Sequence, residues 1–189
     1  MFKKFLIIVT ITLSLTATNV IAADVSRARL MIPTSTTAEN SSTGEKGTIS
    51  GYSLHYVSSM GLGAGLTSVA VEIGTTTTSA DFLDISYTFG ETFTTQVAYQ
   101  YPYGGKLEDS TASAFGPKYK SISGQAFSLN FGYDFGGFEG LIGFMSESTK
   151  QTYEQTISYE ILGTTLSTTS EGEYKRDHQV TSVGVGFTF

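Results

Sequence analysis

The last residues of the chain, Ser182-Val183-Gly184-Val185-Gly186-Phe187-Thr188-Phe189, alternate without a break between large apolar and small side chains. A period of two places Val183, Val185, Phe187 and Phe189 on one face of a strand, and Ser182, Gly184, Gly186 and Thr188 on the other. The pattern recurs upstream. Phe127 to Phe135 carries five large apolar residues that alternate with Ser128, Asn130, Gly132 and Asp134. Residues 93–101 and 83–89 repeat it, and 138–146 and 48–57 follow it less cleanly. Residues 62–73 are blurred by Gly63 and Gly65, where a bulge is expected. Residues 25–33 are the faintest strand, with Ala28, Leu30 and Ile32 set against Arg27, Arg29 and Met31.

The connections between these strands are of two kinds. Short ones fall at 58–61, 90–92 and 136–137, and long polar ones near 34–47, 74–80, 104–121 and 147–177. They alternate long, short, long throughout, which predicts an eight-stranded antiparallel up-and-down barrel with both termini on the short-turn side. Transmembrane barrels are built this way, with short periplasmic turns and longer extracellular loops. Pro33, Pro102 and Pro117 fall at strand ends or in loops on the long-loop side, where no ladder hydrogen bond is lost.

A water-soluble barrel also alternates, but its apolar face points inward and its wet face carries Lys and Glu. Here the polar face is mostly Gly, Ser, Thr, Asn and Gln, and charged residues are only 15% of the chain. Small polar side chains fit the crowded interior of an eight-stranded barrel, and the large faces fit lipid. Phe89, Phe93, Tyr133, Phe135, Phe138 and Phe189 cluster near the short-turn end as an aromatic girdle, with Tyr99, Tyr101 and Tyr103 toward the other rim.

Residues 1–22 read as a secretory signal peptide. Lys3 and Lys4 precede the apolar run Phe5–Leu15, and Val20-Ile21-Ala22 forms a small-residue cleavage pattern before Ala23. The run is shorter than the roughly 20 residues a helical span needs. The barrel domain is then 23–189. Cleavage takes the net charge from −6 to −8, since two lysines leave with the leader. An acidic chain of this kind has no electrostatic footprint for nucleic acid. With no Cys, disulfides, thiolate metal sites and acylation as a lipoprotein are all excluded.

The ending on Phe189, with Val183, Val185 and Phe187 at alternate positions before it, resembles the assembly signal of outer-membrane proteins. Together with the leader and the strand map, residues 23–189 resemble the small OmpA/OmpX-like outer-membrane barrels. The resemblance implies residence in the outer membrane of a Gram-negative bacterium. It also implies contact with outer-membrane lipid, and insertion by periplasmic chaperones and the barrel-assembly machinery. It implies no activity, because fold does not fix function.

Alternation directs Arg27, Arg29, His55, Glu72, Asp84, Asp134 and Glu139 into the lumen. Such ions must find partners there, as a salt-bridged plug or as a gated ion path. Ser53 and His55 share one strand face with acids nearby, a set to be weighed against the nucleophile–base–acid arrangement of a lipid-modifying enzyme. No catalytic residue is assigned. Two His and no Cys argue against a metal site. Gly61, Gly63 and Gly65 lie in a hairpin with no helix after them, so they form no phosphate loop, and no cofactor is expected. Residues 147–177, with Tyr153, Ile157, Tyr159, Ile161 and Leu166, are expected to prolong the last hairpin above the membrane with Gly163 near its tip. That edge offers a surface to an extracellular partner. The functions expected are a structural or surface-interaction barrel serving membrane integrity or adhesion or, alternatively, a narrow porin-like pore for ions or small solutes.

Overall fold

The structure is a computed structural model that describes residues 25–34, 38–39, 46–109, 117–161 and 164–189. The expected signal peptide at 1–22 lies outside the described residues, as do Ala23 and Gly163. Among the described residues eight long or medium strands follow one another: β1 (Arg27–Pro33), β2 (Lys46–Val57), β3 (Leu62–Ile73), β4 (Thr76–Phe89), β5 (Phe93–Asp109), β6 (Lys118–Asp134), β7 (Phe138–Ile161) and β8 (Thr164–Thr188). A two-residue strand, Ala38–Glu39, pairs with the start of β2. Each strand is antiparallel to its neighbours. The ring closes through β1, which pairs with β8 over Arg27–Pro33 and with β2 over Arg27–Met31.

The alternation read in the sequence is the alternation of the wall. On β8 Val183, Val185 and Phe187, and just past its end Phe189, are exposed on the outside. Leu30 and Ile32 on β1, Leu54 and Tyr56 on β2, Ile85 on β4 and Ile142 and Phe144 on β7 continue the same apolar belt. At its lower rim the rings run in contact from Phe93 to Tyr133 (4.8 Å), Phe135 (4.7 Å) and Phe138 (4.9 Å). Leu129 has the outward phase of its strand but is only 3% exposed. It lies between Phe127 and Phe131 and opposite Val97 and Phe144, whose side chains crowd that part of the wall.

Beyond the belt the strands continue and the polarity of the two faces is exchanged. Ile49, Val69, Val71, Ile73, Ala80, Phe82, Ala126, Met145 and Val180 point inward and pack into one apolar cluster, joined by Ile122. Their outward neighbours are polar, among them Thr48, Ser50, Ser68 and Glu72. The wall outside the membrane faces water, so there the hydrophobic effect drives the apolar residues inside, as in a soluble barrel. This overturns one expected lumen residue. Glu72 shares the phase of Leu62 and Leu66 and is exposed on the outer surface of β3, above the belt.

The same exchange explains why three of the four stretches expected as long loops, 74–80, 104–121 and 147–177, are mostly strand among the described residues. Gly74 and Thr75 alone separate β3 from β4, and most of 104–121 belongs to β5 and β6. β7 and β8 stay in register from Phe138↔Phe187 to Ile161↔Thr164. The prolongation of the last hairpin is therefore as expected. At a tilt of about 40°, Ser146 to Ile161 rises about 40 Å above the belt. The bulge expected near Gly63 and Gly65 is absent, since β3 keeps one register with both neighbours. Register shifts occur instead at Asp81/Phe82 and at Tyr119/Ser121. Pro102 stands inside β5 opposite the first of these, where the ladder is already interrupted.

Candidate functional site

Inside the belt the lumen is filled by polar side chains in layers. The lowest is an ion cluster. Arg29 donates to both carboxylate oxygens of Glu139, Nε to Oε2 and Nη2 to Oε1, each at 2.8 Å. Thr94 Oγ1 donates to Glu139 Oε1 at 2.9 Å. Arg27 Nε is 3.1 Å from the same oxygen as an ion pair, and Arg27 Nη2 donates to the Glu91 carbonyl at 3.1 Å. Arg27, Arg29 and Glu139 are each no more than 1% exposed. Asp134 sits at the mouth. Its Oδ2 is 3.9 Å from Arg27 Nη2, while its Oδ1 accepts the backbone N–H of Gly136 and closes the β6–β7 turn.

The middle layer is built around His55 and Asp84. His55 Nε2 lies 2.6 Å from Ser53 Oγ and 3.2 Å from Asp84 Oδ2. Thr67 Oγ1 is 2.5 Å from Asp84 Oδ2 and 2.7 Å from Ser53 Oγ, and Gln100 Nε2 donates to it at 3.0 Å. A second relay runs from Asn130 Nδ2 to Gln96 Oε1 and from Gln96 Nε2 to Ser86 Oγ, both 2.9 Å. The glycines make room for these groups. A Cβ on Gly65 would come within 2.8 Å of His55 Nδ1, and one on Gly186 within 2.6 Å of Glu139 Oε2.

Ser53, His55 and Asp84 are thus together, yet not in a nucleophile relay. A general base needs one ring nitrogen for the nucleophile and the other held by the acid. Here Nε2 faces both Ser53 and Asp84, and Nδ1 has no partner. The set is also buried in the lumen, away from the lipid face.

The third layer lies beyond the belt and is built on charges outside the seven that alternation directs inward. Arg176 donates from Nε to Glu147 Oε1 at 2.8 Å and from Nη2 to Oε2 at 3.1 Å. Its Nη1 donates to the Thr78 carbonyl at 2.6 Å and its Nη2 to the Val69 carbonyl at 3.1 Å. Both side chains are fully buried. The signal in the sequence was phase. Arg176 is in step with Val180, and Glu147 with Met145, but the region reads as loop when polarity alone is used. Outside, Lys120 of β6 bridges Glu154 of β7 (3.2 Å) and Glu171 of β8. These carboxylates, Glu171 foremost, hold its ammonium above the usual lysine range.

Five of the seven expected lumen charges, Arg27, Arg29, His55, Asp84 and Glu139, are buried there. Asp134 is at the rim and Glu72 is outside. Between the middle layer and the apolar cluster lies a cavity of about 30 Å³ whose lining includes Ser53, Thr67, Gln100, Ser128, Asn130 and Met145.

An eight-stranded antiparallel ring with a lipid-compatible belt, an aromatic lower rim and a polar, ion-paired lumen is the architecture of a small bacterial outer-membrane β-barrel protein. Comparison with a solved structure gives the same fold. The crystal structure of the outer membrane protein OprG from Pseudomonas aeruginosa superposes with a TM-score of 0.51 at 14% identity, covering 89% of this chain and 97% of that one. The solid-state NMR structure of the outer membrane protein AlkL in DMPC lipid bilayers gives 0.48 at 13% identity, covering 88% and 90%. No protein-family model matches the chain, and no curated protein sequence does.

Proposed function

We propose that the protein is a closed outer-membrane barrel that works through its surface, contributing to membrane integrity or adhesion, and neither conducts nor catalyses. The observation that carries this reading is the filled lumen. A route through the barrel would have to pass the Arg27–Arg29–Glu139 cluster, then the hydrogen-bonded middle layer, then the cluster around Phe82 and Val69. The first holds fixed ions in mutual contact, and the last offers water no polar partner.

The surface part of the proposal rests on the β7–β8 ribbon. β6 leaves β7 at Glu154, so residues 155–161 and 164–170 rise as a two-stranded ribbon among the described residues. A ribbon of two strands is marginal alone and presents unpaired edges to a partner in the medium. Export through the leader at 1–22 and insertion read from Val183, Val185, Phe187 and Phe189 belong to the same proposal. The test is planar-bilayer recording of the purified, refolded protein. The expected result is a trace indistinguishable from bare lipid. Stepwise conductance would overturn the closed-lumen reading in favour of the narrow pore.

A further inference from the structure

The free edge of β8 is unguarded at its far end. β1 leaves β8 after Pro33↔Ser182, with one more bond from Thr34 N to the Thr181 carbonyl. Beyond that point β8 pairs only with β7 among the described residues, as far as Ile161↔Thr164. Nearer the membrane the edge carries charge. Glu171, Glu173, Lys175 and Asp177 are exposed along it, and Lys120 and Lys150 bridge to the first two. The last seven residues, Thr164-Thr165-Leu166-Ser167-Thr168-Thr169-Ser170, have no charge, no proline and no glycine. The strand also keeps one register through them, without a bulge. Charges, prolines and bulges are the devices that stop one sheet edge from pairing with another. Ser167, Thr168, Thr169 and Ser170 are all exposed, so both faces of the strand meet water there.

A ribbon of two strands is marginal, and three or more give independent stability. β6 ends its pairing at Lys118↔Glu154, so no described strand of the same chain reinforces the ribbon. The residue pattern selects the strand that fits this edge. An antiparallel pair of two such strands, centred on Ser167, sets Ser167 opposite its own counterpart. It sets Leu166, Thr165 and Thr164 opposite Thr168, Thr169 and Ser170 of the second copy. No charge enters the pairing, and Thr and Ser opposite one another are favourable cross-strand pairs. A register four residues deeper would set Glu171 against itself, like charges directly opposed. The companion edge of the ribbon, 155–161 of β7, carries Glu160, so the β8 edge is the better match to itself.

We propose that the ribbon pairs with a second copy of this chain, β8 to β8, in a four-stranded sheet ordered β7–β8–β8–β7. The pairing rests on the surface role of the ribbon proposed above and names its partner. Strand direction places the second copy. β8 runs toward the membrane in every copy, so two β8 strands in one membrane run the same way. An antiparallel pair needs copies in opposing membranes, related by a twofold axis midway between them. Such a contact is closed, so it bridges two membranes and does not grow into a fibre.

The test uses the full mature chain in phosphatidylcholine vesicles. Vesicles that carry the protein should cluster with one another in dynamic light scattering and should not capture bare vesicles. Ser167→Lys sets two ammonium groups against each other on the twofold axis and should lower clustering about tenfold or more. Heat-modifiable gel migration checks that the variant barrel is intact. Ser167→Cys, in a chain with no other cysteine, should form a disulfide-linked dimer under mild oxidation of clustered vesicles, and Gln155→Cys on the outer strand should not. No clustering, clustering undiminished by Ser167→Lys, or equal cross-linking at both positions would overturn the pairing. Capture of bare vesicles that needs residues 155–170 would also overturn it, while leaving the surface role of the ribbon standing. Stepwise conductance in a planar bilayer, by contrast, bears on the closed lumen and not on the pairing.

Discussion

Glu139→Gln is the sharpest perturbation of this barrel. The carboxylate takes two hydrogen bonds from Arg29 at 2.8 Å, a third from Thr94 at 2.9 Å, and lies 3.1 Å from Arg27 Nε. The amide is almost the same shape, so nothing is lost to cavity formation. What is lost is the counter-charge of two guanidiniums that are each 1% exposed. Removing one partner of a buried pair costs about 3–5 kcal/mol, because the other ion stays buried and uncompensated. One amide nitrogen would also point a donor at a donor. Asp134, 3.9 Å from Arg27 and at the rim, can relieve only part of this. The assay is urea unfolding in detergent or lipid, followed by far-ultraviolet circular dichroism or heat-modifiable gel migration, since the chain has no Trp to report. The expected loss is about 3 kcal/mol or more. Replacing the whole cluster, Arg27→Met and Arg29→Met with Glu139→Leu, should recover most of it, as a buried ion cluster exchanged for apolar residues of similar volume is often neutral. A loss below about 1 kcal/mol for Glu139→Gln would mean that water reaches the lower lumen freely, and the plug argument would fail.

Two further outcomes bear on assembly and orientation. Deleting Phe189 should lower insertion in cells while refolding in detergent still succeeds; unchanged levels in the outer membrane would discard the assembly-signal reading of Val183, Val185, Phe187 and Phe189. Ile142→Arg, on an outward side chain 53% exposed within the belt, should cost on the order of 2–4 kcal/mol, whereas Glu72→Lys above the belt should change stability little. A fluorophore on a cysteine at 142 should be quenched by brominated acyl chains and one at 72 should not, and equal quenching at both would refute the placement of the belt.

What was legible in the sequence, and what was not, divides at the edge of the membrane. Within the belt, phase and polarity carry the same message, because lipid outside and a polar lumen inside sort the side chains the way a reader sorts them. The strands ending at Phe189, Phe135, Tyr101 and Phe89 could therefore be placed, and Arg29, His55, Asp84 and Glu139 could be turned inward from alternation alone. Beyond the belt water lies outside, and the same phase carries the opposite polarity. Glu72, directed into the lumen by the alternation, faces outward, and the Thr and Ser of 147–177 mark a long polar connection although the last hairpin continues through them. Val180 and Met145 marked the phase that continued into Arg176 and Glu147, but a polar outer face beside an apolar inner one resembles a loop when the solvent boundary is unknown. The partners themselves lay further out of reach. Arg29 and Glu139 are 110 residues apart in the chain, and Arg176 meets carbonyls of Val69 and Thr78 about 100 residues away. Alternation decides only that these groups face inward. Which of them meet depends on the register of eight strands closed into a ring, and that is a property of the tertiary structure.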